Sequence, residues 1–380
     1  MSETVMIVAG ETSGELYGSL LAEALKKKVP GVRVVGIGGE RMKAAGVELL
    51  SGIASAFGIA EALSSIKALK ETFRKASEAL RTCRPSVIVL IDYPDFNLRL
   101  AAEARKLNIP VLYYVSPQVW AWRRGRVKKI AGLVDRMAVI LPFEAEIYRD
   151  TGLDAEFVGH PVLDEIRGMK ADKQGHKAEL GLVPGVPLIS LLPGSRPHEL
   201  ERLLPLVLET VRACKRSFPG FQFCIPFAPN TDLVQHLQMV DMLKAEGVSI
   251  NRGKSLATLA ASDYAVIASG TATLQAVLLG VPLVVMYKLF PLTFWLGKRV
   301  VKVKWVSLVN ILSDREVVRE LLQKDATVEN VLQELGRIMN DAAYRQQMLA
   351  AYGDVQKVFA GKHASARVAD MIVNMAGWER

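Results

Sequence analysis

The chain has 380 residues, enough for two domains with sizeable cores, and half of its residues are hydrophobic. With no low-complexity segment, this composition is that of a globular protein and excludes a disordered chain. Lys and Arg number 48 and Asp and Glu 39, and the resulting net charge of +9 suits nucleic acid, an anionic lipid surface or a phosphorylated ligand.

Cysteine usage and hydropathy limit the compartment. The three cysteines, Cys83, Cys214 and Cys224, form no CxxC pair, which indicates reduced thiols in a cytosolic protein. The N-terminus lacks a cationic signal-peptide start, and no uninterrupted run of about 18 apolar residues occurs, so we expect no membrane-spanning helix. Any membrane contact is therefore expected to be peripheral.

The N-terminal stretch predicts a βαβ unit. An apolar run at 5–9 meets Gly10-Glu11-Thr12-Ser13-Gly14, a helix with one apolar face follows, and a second strand spans 32–37. The loop is not a GxGxxG fingerprint, so nothing indicates NAD. Glu11 and Ser13 lie where such folds bind ligands; alternatively, Glu11 is a solvated acid and Ser13 a helix cap.

Residues 59–80 predict an amphipathic helix. Its apolar stripe consists of Ile59, Leu63, Ile66, Leu69, Phe73, Ala76 and Leu80, with Lys67, Lys70 and Arg74 along one flank. The stripe fits a helix that faces the protein core. It also fits a surface helix that dips into a bilayer beside anionic headgroups.

A predicted strand at 86–91 ends in Asp92-Tyr93-Pro94-Asp95-Phe96-Asn97. An acid at the carboxyl end of a buried parallel strand makes Asp92 the candidate general base, and partly apolar surroundings are expected to raise its pKa. We expect Pro94 to block an immediate helix and Asp95 to cap a helix from Leu98. A hydrolase that pairs Asp92 with Asp95 is the alternative.

The next predicted strand, at 111–115, leads into Ser116-Pro117-Gln118-Val119-Trp120-Ala121-Trp122. Five cations then follow in the seven residues 123–129. Aromatic residues beside a basic run fit a nucleic-acid surface, although one such patch inside an α/β domain is usually local. Strands at 137–141 and near Phe157 complete this half, and the polar stretch 168–176 marks a domain boundary.

The second half repeats the pattern, with strands expected at 188–192, 221–226, 248–250, 264–268 and 283–286. One strand runs into Pro193-Gly194-Ser195-Arg196, with helical periodicity from Glu199, and another into Ser269-Gly270-Thr271-Ala272-Thr273. Both loops are expected to offer unpaired backbone N–H groups to an anion, and Arg196 adds a bidentate cation. Two such loops in one domain predict diphosphate binding.

The C-terminal part mixes aromatic and cationic residues over 290–305, which fits a partly exposed helix and strand or a lipid interface. Asn310 follows a short apolar run, a helix is expected near Arg315-Glu316, and two or three amphipathic helices follow from Val328. The five histidines are scattered, so we predict no metal site and no cofactor.

In this order, the segments Gly10–Gly14, Asp92–Asn97, Val115–Trp122, Leu192–Arg196 and Ser269–Thr273 resemble the lipid-A-disaccharide synthases, a family of bacterial inverting glycosyltransferases. The resemblance covers essentially the whole chain. It implies the GT-B fold, an α/β architecture of two Rossmann-like doubly wound domains that face a cleft, with C-terminal helices crossing back to the first domain. The implied boundaries are 1–168 for an acceptor and membrane-facing domain, 169–345 for a UDP-sugar-binding domain and 346–380 for the C-terminal helices.

The resemblance also implies a reaction and a place. The family transfers 2,3-diacylglucosamine from its UDP derivative to 2,3-diacylglucosamine 1-phosphate (lipid X), forms a β-1,6 bond and releases UDP, in lipid A and lipopolysaccharide biosynthesis. Both substrates carry acyl chains, so the resemblance implies a cytoplasmic protein that associates peripherally with the inner membrane. Nucleic acid is not an expected partner, and a homodimer stays an open option.

Carried onto this sequence, the resemblance implies Asp92 as the base and Glu11, Ser13 and Asn310 as residues of the acceptor or the cleft. The residues implied for UDP and its diphosphate are Ser195, Arg196, Ser269, Gly270, Thr271 and Gln275. Contacts with the membrane or the acyl chains fall to Ile59, Leu63, Ile66, Leu69 and Phe73.

Two positions depart from the expected pattern. Gln275 stands where relatives of the fold carry an acid that binds the ribose hydroxyls, and Leu308-Val309 stands where Leu-Pro is expected before Asn310. The residues leave two other functions open. One is a UDP-N-acetylglucosamine epimerase or another UDP-sugar transferase on the same fold. The other is a non-enzymatic RNA- or membrane-binding protein, which the net charge and the basic run at 123–129 would suit.

Overall fold

The computed structural model describes residues 3–52, 62–121, 124–229, 231–288 and 304–378, leaving aside the side chains of Thr12 and of residues 62–66. The chain forms two compact units. The first comprises Met1–Gly168 and Gly361–Arg380, and the second Met169–Ala360.

The first unit is built on a parallel seven-stranded sheet with the strand order β3-β2-β1-β4-β5-β6-β7. The strands are β1 Thr4–Ala9, β2 Arg33–Gly38, β3 Glu48–Gly52, β4 Val87–Ile91, β5 Val111–Tyr114, β6 Arg136–Val139 and β7 Asp154–Phe157. The two central strands, β1 and β4, are buried at every position, as expected where helices cover both faces of a parallel sheet.

Helices connect these strands in the crossover pattern of a doubly wound sheet. They are α1 Thr12–Lys28, α2 Glu40–Ala44, α3 Ala62–Cys83, α4 Pro94–Lys106, α5 Val127–Ala131, α6 Glu144–Tyr148 and α7 Val162–Arg167. Short 3₁₀ turns occupy Arg124–Arg126 and Arg149–Thr151. Because the sheet is parallel, the loops after β1, β4, β5 and β6 lie together at the carboxyl ends of the strands, where such folds usually bind ligands. This side of each sheet is called its ligand edge below.

The second unit contains a parallel six-stranded sheet in the order β10-β9-β8-β11-β12-β13. Its strands are β8 Leu188–Leu192, β9 Gln222–Phe227, β10 Val248–Arg252, β11 Tyr264–Ile267, β12 Leu283–Tyr287 and β13 Glu320–Leu322. Its helices are α8 Lys173–Glu179, α9 Pro197–Ser217, α10 Leu237–Ala245, α11 Ser255–Ala261, α12 Thr271–Leu278, α13 Leu308–Ser313, α14 Val328–Asn340 and α15 Ala342–Val358. Further 3₁₀ turns lie at Val234–His236 and Gln323–Asp325.

The last helix, α16 (Ala364–Ala376), belongs to the first unit and packs against α1. The resemblance implied that residues 346–380 form C-terminal helices that cross back to the first domain. In the structure, residues 346–358 lie in α15, which packs against α12 and α13 of the second unit, and the segment grouped with the first unit begins at Gly361.

The predicted α/β class and the two parallel sheets are confirmed, with three local differences. The helix after β4 begins at Pro94 rather than Leu98, because proline is well suited to the first helical position, where no N–H partner is needed. No helix begins at Arg315, because α13 ends before Asp314, whose φ is +45°, and the chain leads into β13. The edge strands β3 and β13 and the short helix α2 were not predicted.

Among the described residues, no helix combines the length and the apolar character that crossing a bilayer would require.

Candidate active site

The turn after β4 holds Asp92 in a sparsely populated backbone conformation. Asp92 and the next residue, Tyr93, have φ values of +49° and +46°, which cost non-glycine residues about 1–3 kcal/mol each. Two side chains hold the turn in place. Asn97 Nδ2 donates to the carbonyl oxygens of Ile91 and Asp92 at 3.1 and 2.7 Å, and the Tyr113 hydroxyl donates to the Asp92 carbonyl at 2.6 Å. The half-buried Asp92 carboxylate is therefore carried by a fixed turn.

The loop after β1 approaches this turn closely. A Cβ on Gly10 would clash with the ring of Tyr93, so Gly10 is the residue type that this contact requires. Burial, and then the charges of Glu11 and Asp95, raise the pKa of Tyr93, so its hydroxyl stays protonated at neutral pH. The effect of Glu11 on Tyr93 indicates that the loops after β1 and β4 share one electrostatic environment.

Glu11 and Ser13 both lie at the start of α1, at the carboxyl edge of β1. Glu11 is the residue before the helix and is half-buried, and its side chain makes no capping hydrogen bond. Ser13 is the second residue of the helix, so the helix-cap alternative for Ser13 is wrong. The structure thus brings Glu11 and Ser13 to the strand end that neighbours β4, where Asp92 is found.

Asp95 has a different place from the one expected. The helix begins at Pro94, one residue before it, so Asp95 cannot be its N-cap. Its exposed carboxylate lies 2.9 Å from the guanidinium of Arg126. Asp95 thus forms a surface ion pair with Arg126.

His160 is a buried ionisable side chain beyond β7. It is 1 % exposed, its Nδ1 accepts from the Val162 N–H at 3.3 Å, and its ring meets that of Tyr17 edge-on at 5.8 Å. Burial lowers the pKa of His160 to about 3. The imidazole is therefore neutral at physiological pH and makes a poor candidate for proton transfer.

In the second unit, the loop between β8 and α9 places Ser195 and Arg196 at the surface. The prediction that this loop offers unpaired N–H groups is wrong, because Glu199 already accepts from them. Glu199 Oε2 lies 3.0 Å from Ser195 N and 3.2 Å from Arg196 N. Gly194, with φ of +101°, passes so close that a Cβ there would clash with the same carboxylate. A glutamate at the third helical position is a common N-terminal capping signal and could have revealed this.

Glu199 also fixes the surroundings of Arg196. Its Oε1 lies 3.6 Å from Arg196 Nη1 and accepts from the Tyr287 hydroxyl at 3.1 Å. Burial, followed by the charge and hydrogen bond of Glu199, raises the pKa of Tyr287 to about 12. The guanidinium remains half-exposed, so it can reach an anion from solvent while Glu199 orients it.

The loop after β11 lies beside the β8 loop. β11 pairs with β8 through Ile267 and Leu192, and the Ala268 N–H donates to the Leu192 carbonyl at 2.7 Å. Gly270 has φ of +147°, a conformation that side chains rarely adopt, and α12 begins immediately after it at Thr271. The first N–H groups of a helix have no acceptor within the helix, which makes the start of α12 suited to an anion.

Ser269 lies just before the start of α12, and Gln275 lies within the helix. The Ser269 hydroxyl donates to the Val306 carbonyl at 2.8 Å, which ties the loop to the segment before α13. Gln275 lies further along α12 and is 8 % exposed. The structure thus brings together the predicted residues of the β8 and β11 loops at one edge of the second sheet.

Asn310 does not have the ligand-binding geometry that we expected. It is fully buried, and its Oδ1 accepts from the N–H groups of Val317 and Val318 at 2.8 and 3.0 Å. Its Nδ2 donates to the Val318 carbonyl and to Glu320 Oε1, both at 2.9 Å. Because an amide side chain makes four hydrogen bonds at most, Asn310 has none left for a sugar or a phosphate. Its role is to join α13 to β13.

The described part of the apolar stripe of α3 faces the core of the first unit. Leu69 and Phe73, expected to touch membrane or acyl chains, pack against the buried cluster, and the Phe73 ring meets Phe96 edge-on at 5.6 Å. A small apolar pocket beside Gly10 and Tyr93 includes Leu69 in its wall. Ile59 and the side chains of Leu63 and Ile66 lie outside the described residues.

Comparison with known proteins gives the family. A family model described as Lipid-A-disaccharide synthetase matches residues 5–368. The Lipid-A-disaccharide synthase of Trichlorobacter lovleyi is 40 % identical over 376 residues, covering 98 % of this chain and 97 % of the relative. The protein of the same name from Syntrophus aciditrophicus is 39 % identical over 376 residues and covers 98 % of both chains.

Solved structures with the same fold are much more distant in sequence. The UDP co-structure of Staphylococcus aureus MnaA has a TM-score of 0.70 at 10 % identity and covers 100 % of this chain and 98 % of its own. The UDP-GlcNAc 2-epimerase from Neisseria meningitidis bound to UDP-GlcNAc has a TM-score of 0.68 at 11 % identity, covering 99 and 100 %. The glycotransferase of kitacinnamycin has a TM-score of 0.62 at 16 % identity, covering 98 and 99 %. These structures show the fold that GT-B glycosyltransferases and epimerases share. The sequence relatives decide between these two classes of enzyme. The chain belongs to the lipid-A-disaccharide synthase family and is a glycosyltransferase.

Proposed function

We propose that this protein transfers 2,3-diacylglucosamine from UDP-2,3-diacylglucosamine to the 6-hydroxyl of 2,3-diacylglucosamine 1-phosphate, with inversion at the anomeric carbon. The products are the β-1,6-linked disaccharide 1-phosphate and UDP. Family membership supports the substrates. The observation that carries the chemistry is the strained turn of Asp92, because backbone strain of this kind persists where function needs a fixed side chain.

In this mechanism Asp92 is the general base. Its carboxylate takes the proton of the acceptor 6-hydroxyl as the oxygen forms a bond to the donor's anomeric carbon. The bond from that carbon to the diphosphate oxygen breaks, and its electron pair leaves with UDP. The hydrogen bonds of Asn97 and Tyr113 to the Asp92 carbonyl would hold the base in register with the acceptor.

The second unit would bind the leaving diphosphate. Negative charge grows on UDP as the bond breaks, and fixed donors aimed at that charge accelerate such steps. Arg196, oriented by Glu199, and the first N–H groups of α12 after Gly270 are suited to this role. The hydroxyls of Ser195 and Thr271 add donors at the same edge, and Gln275 would bind the ribose as an amide in place of an acid. Ser269 would keep the loop in place.

Glu11 and Ser13 would orient the acceptor sugar from the start of α1. A carboxylate and a hydroxyl at the strand end next to Asp92 can accept from and donate to sugar hydroxyls. Because both substrates would carry acyl chains, we infer that the protein works peripherally at the cytoplasmic leaflet of the inner membrane. Flotation with liposomes of anionic phospholipid tests this placement, and sedimentation velocity tests the homodimer.

Product analysis tests the reaction. The purified protein is given both lipid sugars, UDP release is followed, and the lipid product is identified by mass spectrometry. The proposal expects UDP only when donor and acceptor are both present, and a product with the mass of the disaccharide 1-phosphate.

Two control reactions separate the alternatives. Donor without acceptor measures simple hydrolysis. UDP-N-acetylglucosamine alone tests epimerisation, the activity in the names of several proteins with this fold. Conversion in the epimerase control, together with no disaccharide in the main reaction, would contradict the proposal.

A further inference from the structure

Glu144 is a buried carboxyl at the ligand edge of the first sheet that the mechanism above does not use. It is 2 % exposed and begins α6, just after β6. Its Oε2 accepts from the N–H groups of Ile140 and Leu141 at 3.2 and 3.0 Å, and its Oε1 accepts from Trp120 Nε1 at 3.1 Å. One carboxyl thus joins the loop after β6 to the loop after β5. A buried carboxyl with three donors has a specific structural task.

The loop after β5, residues Ser116–Ala121 and here called the β5 loop, is fixed at both ends. It leaves the strand through Val115, whose φ of +67° is rare for a β-branched residue. At its start the Ser116 hydroxyl lies 2.8 Å from the Tyr148 hydroxyl, and towards its end Trp120 bonds to Glu144. Glu144 and Tyr148 are the first and last residues of α6, so one short helix anchors the whole loop.

Within the described residues 116–121, Gln118 is the polar side chain that the β5 loop exposes. The residues at 116, 117, 119 and 121 are buried and Trp120 is partly buried, whereas Gln118 is exposed. An amide both donates and accepts hydrogen bonds, which suits the hydroxyl groups of a sugar. A loop that is anchored at two points and presents an amide to solvent has the properties of a binding element rather than of a connection.

The β5 loop neighbours the turn of the proposed base. β4 and β5 pair through Ile91 and Tyr114, the Asp92 N–H donates to the Tyr114 carbonyl at 3.2 Å, and the Tyr113 hydroxyl donates to the Asp92 carbonyl. Burial, opposed by the hydrogen bonds of Glu144 and assisted by the charge of Asp92, raises the pKa of Glu144 to about 7. Glu144 therefore lies within electrostatic reach of Asp92.

We propose that the β5 loop forms part of the acceptor site, that Gln118 hydrogen-bonds the acceptor sugar, and that Glu144 is a positioning residue that holds the loop through Trp120. This inference rests on the proposed glycosyl transfer. It adds to that proposal a specificity element supplied by the neighbouring strand. Loss of the anchor should act on the acceptor and leave the donor in place, because the diphosphate residues belong to the second unit.

Steady-state kinetics with each substrate varied in turn tests the inference. The variants are Gln118→Ala, Trp120→Phe and Glu144→Gln. The control is Glu334→Gln, which alters another buried glutamate that accepts from an aromatic side chain, the Tyr344 hydroxyl at 2.6 Å, in the second unit. We expect Gln118→Ala to raise KM for the acceptor about 10-fold, the effect of roughly one lost hydrogen bond to a ligand, with KM for the donor unchanged.

Trp120→Phe and Glu144→Gln should raise KM for the acceptor and also lower kcat, since the loop would no longer be fixed beside Asp92. Trp120→Phe keeps the backbone hydrogen bonds of Glu144, so it tests the anchor even where Glu144→Gln unfolds at assay temperature. The inference is wrong if the parent releases UDP and the variants have the same kinetics as the Glu334→Gln control. It is also wrong if the variants change the KM values for donor and acceptor equally. A parent protein that forms no disaccharide overturns the proposed function itself, and the inference with it.

Discussion

The turns at the ligand edges of the two sheets differ in residue type and backbone conformation. In the first unit, the turns after β4 and β5 hold non-glycine residues in left-handed conformations, Asp92, Tyr93 and Val115, and buried side-chain hydrogen bonds support them. In the second unit, the edge consists of Gly194 and Gly270 and the starts of two helices. Proton transfer needs one side chain at a defined angle, whereas a diphosphate needs several donors around it. In the proposed mechanism, the first edge would orient the base and the second edge would surround the diphosphate.

The largest test of this comparison is Asp92→Asn. An amide cannot take the proton of the acceptor hydroxyl, so we expect turnover to fall by about 100- to 10,000-fold, the usual contribution of a general base. UDP binding and the thermal midpoint should stay close to those of the parent, because the substitution keeps the Asp92 carbonyl through which Asn97 and Tyr113 hold the turn. Disaccharide formation measures turnover, isothermal titration measures UDP binding, and thermal unfolding gives the midpoint.

Asp95→Asn is the matched control for that variant. It removes a carboxylate three residues away, at the surface and paired with Arg126, and should leave turnover within about twofold of the parent, since an exposed ion pair contributes little. If Asp92→Asn retained full turnover, Asp92 would not be the base, and the strained turn would need another explanation.

The same contrast explains which parts of the fold and of the site could be predicted from the sequence. Apolar runs located the inner strands, and the acid or glycine after each strand marked both ligand edges, because those signals are local. The left-handed conformation of Asp92 depends on Asn97 and Tyr113, which approach only in the folded chain. The resemblance implied that Asn310 binds in the cleft. No local signal marked its partners, Val317, Val318 and Glu320, because they lie around a three-residue edge strand without periodicity.

The second test addresses the donors of the other edge. Arg196→Ala should lower kcat by about 100- to 1,000-fold, the loss observed when one fixed donor is removed from developing charge, and should weaken UDP binding as well. Arg319→Ala is the control, since Arg319 is similarly exposed and lies beside a glutamate three residues before it. Equal effects of the two substitutions would mean that Arg196 acts only through general surface charge.

The third test uses the buried ionisable groups of the first unit. The unfolded chain protonates His160 below its ordinary pKa of 6.5, whereas the folded protein keeps it neutral down to about 3. The unfolded state therefore gains protons as pH falls, and stability is lost. Between pH 7 and pH 5 we expect the parent to lose about 2 kcal/mol more free energy of unfolding than His160→Asn, measured by urea titration.

Glu144 titrates in the same range with the opposite sign. Its folded pKa of about 7 lies above the ordinary 4.5, so the folded state binds the extra proton and this group adds stability as pH falls. Because the parent and His160→Asn both contain Glu144, its contribution cancels in their difference. His236→Asn, in the second unit, serves as the control. A parent and a His160→Asn variant with parallel pH profiles would contradict the buried neutral imidazole.

The smallest expected effect concerns Glu199, a buried carboxylate that holds the loop after β8 as Asn97 and Tyr113 hold the turn of Asp92. Glu199→Gln would keep one oxygen for the N–H groups of Ser195 and Arg196 but lose the charge that strengthens those bonds. We expect the free energy of unfolding to fall by about 1 kcal/mol, as for a weakened helix cap, with no change in the exposed control Glu201→Gln. UDP binding should weaken by up to about fivefold, because the Arg196 guanidinium would lose the carboxylate 3.6 Å away that orients it. Urea titration and calorimetry with UDP give both values. Unchanged or tighter UDP binding would contradict the orienting role of Glu199 and would make it only a cap of the loop after β8.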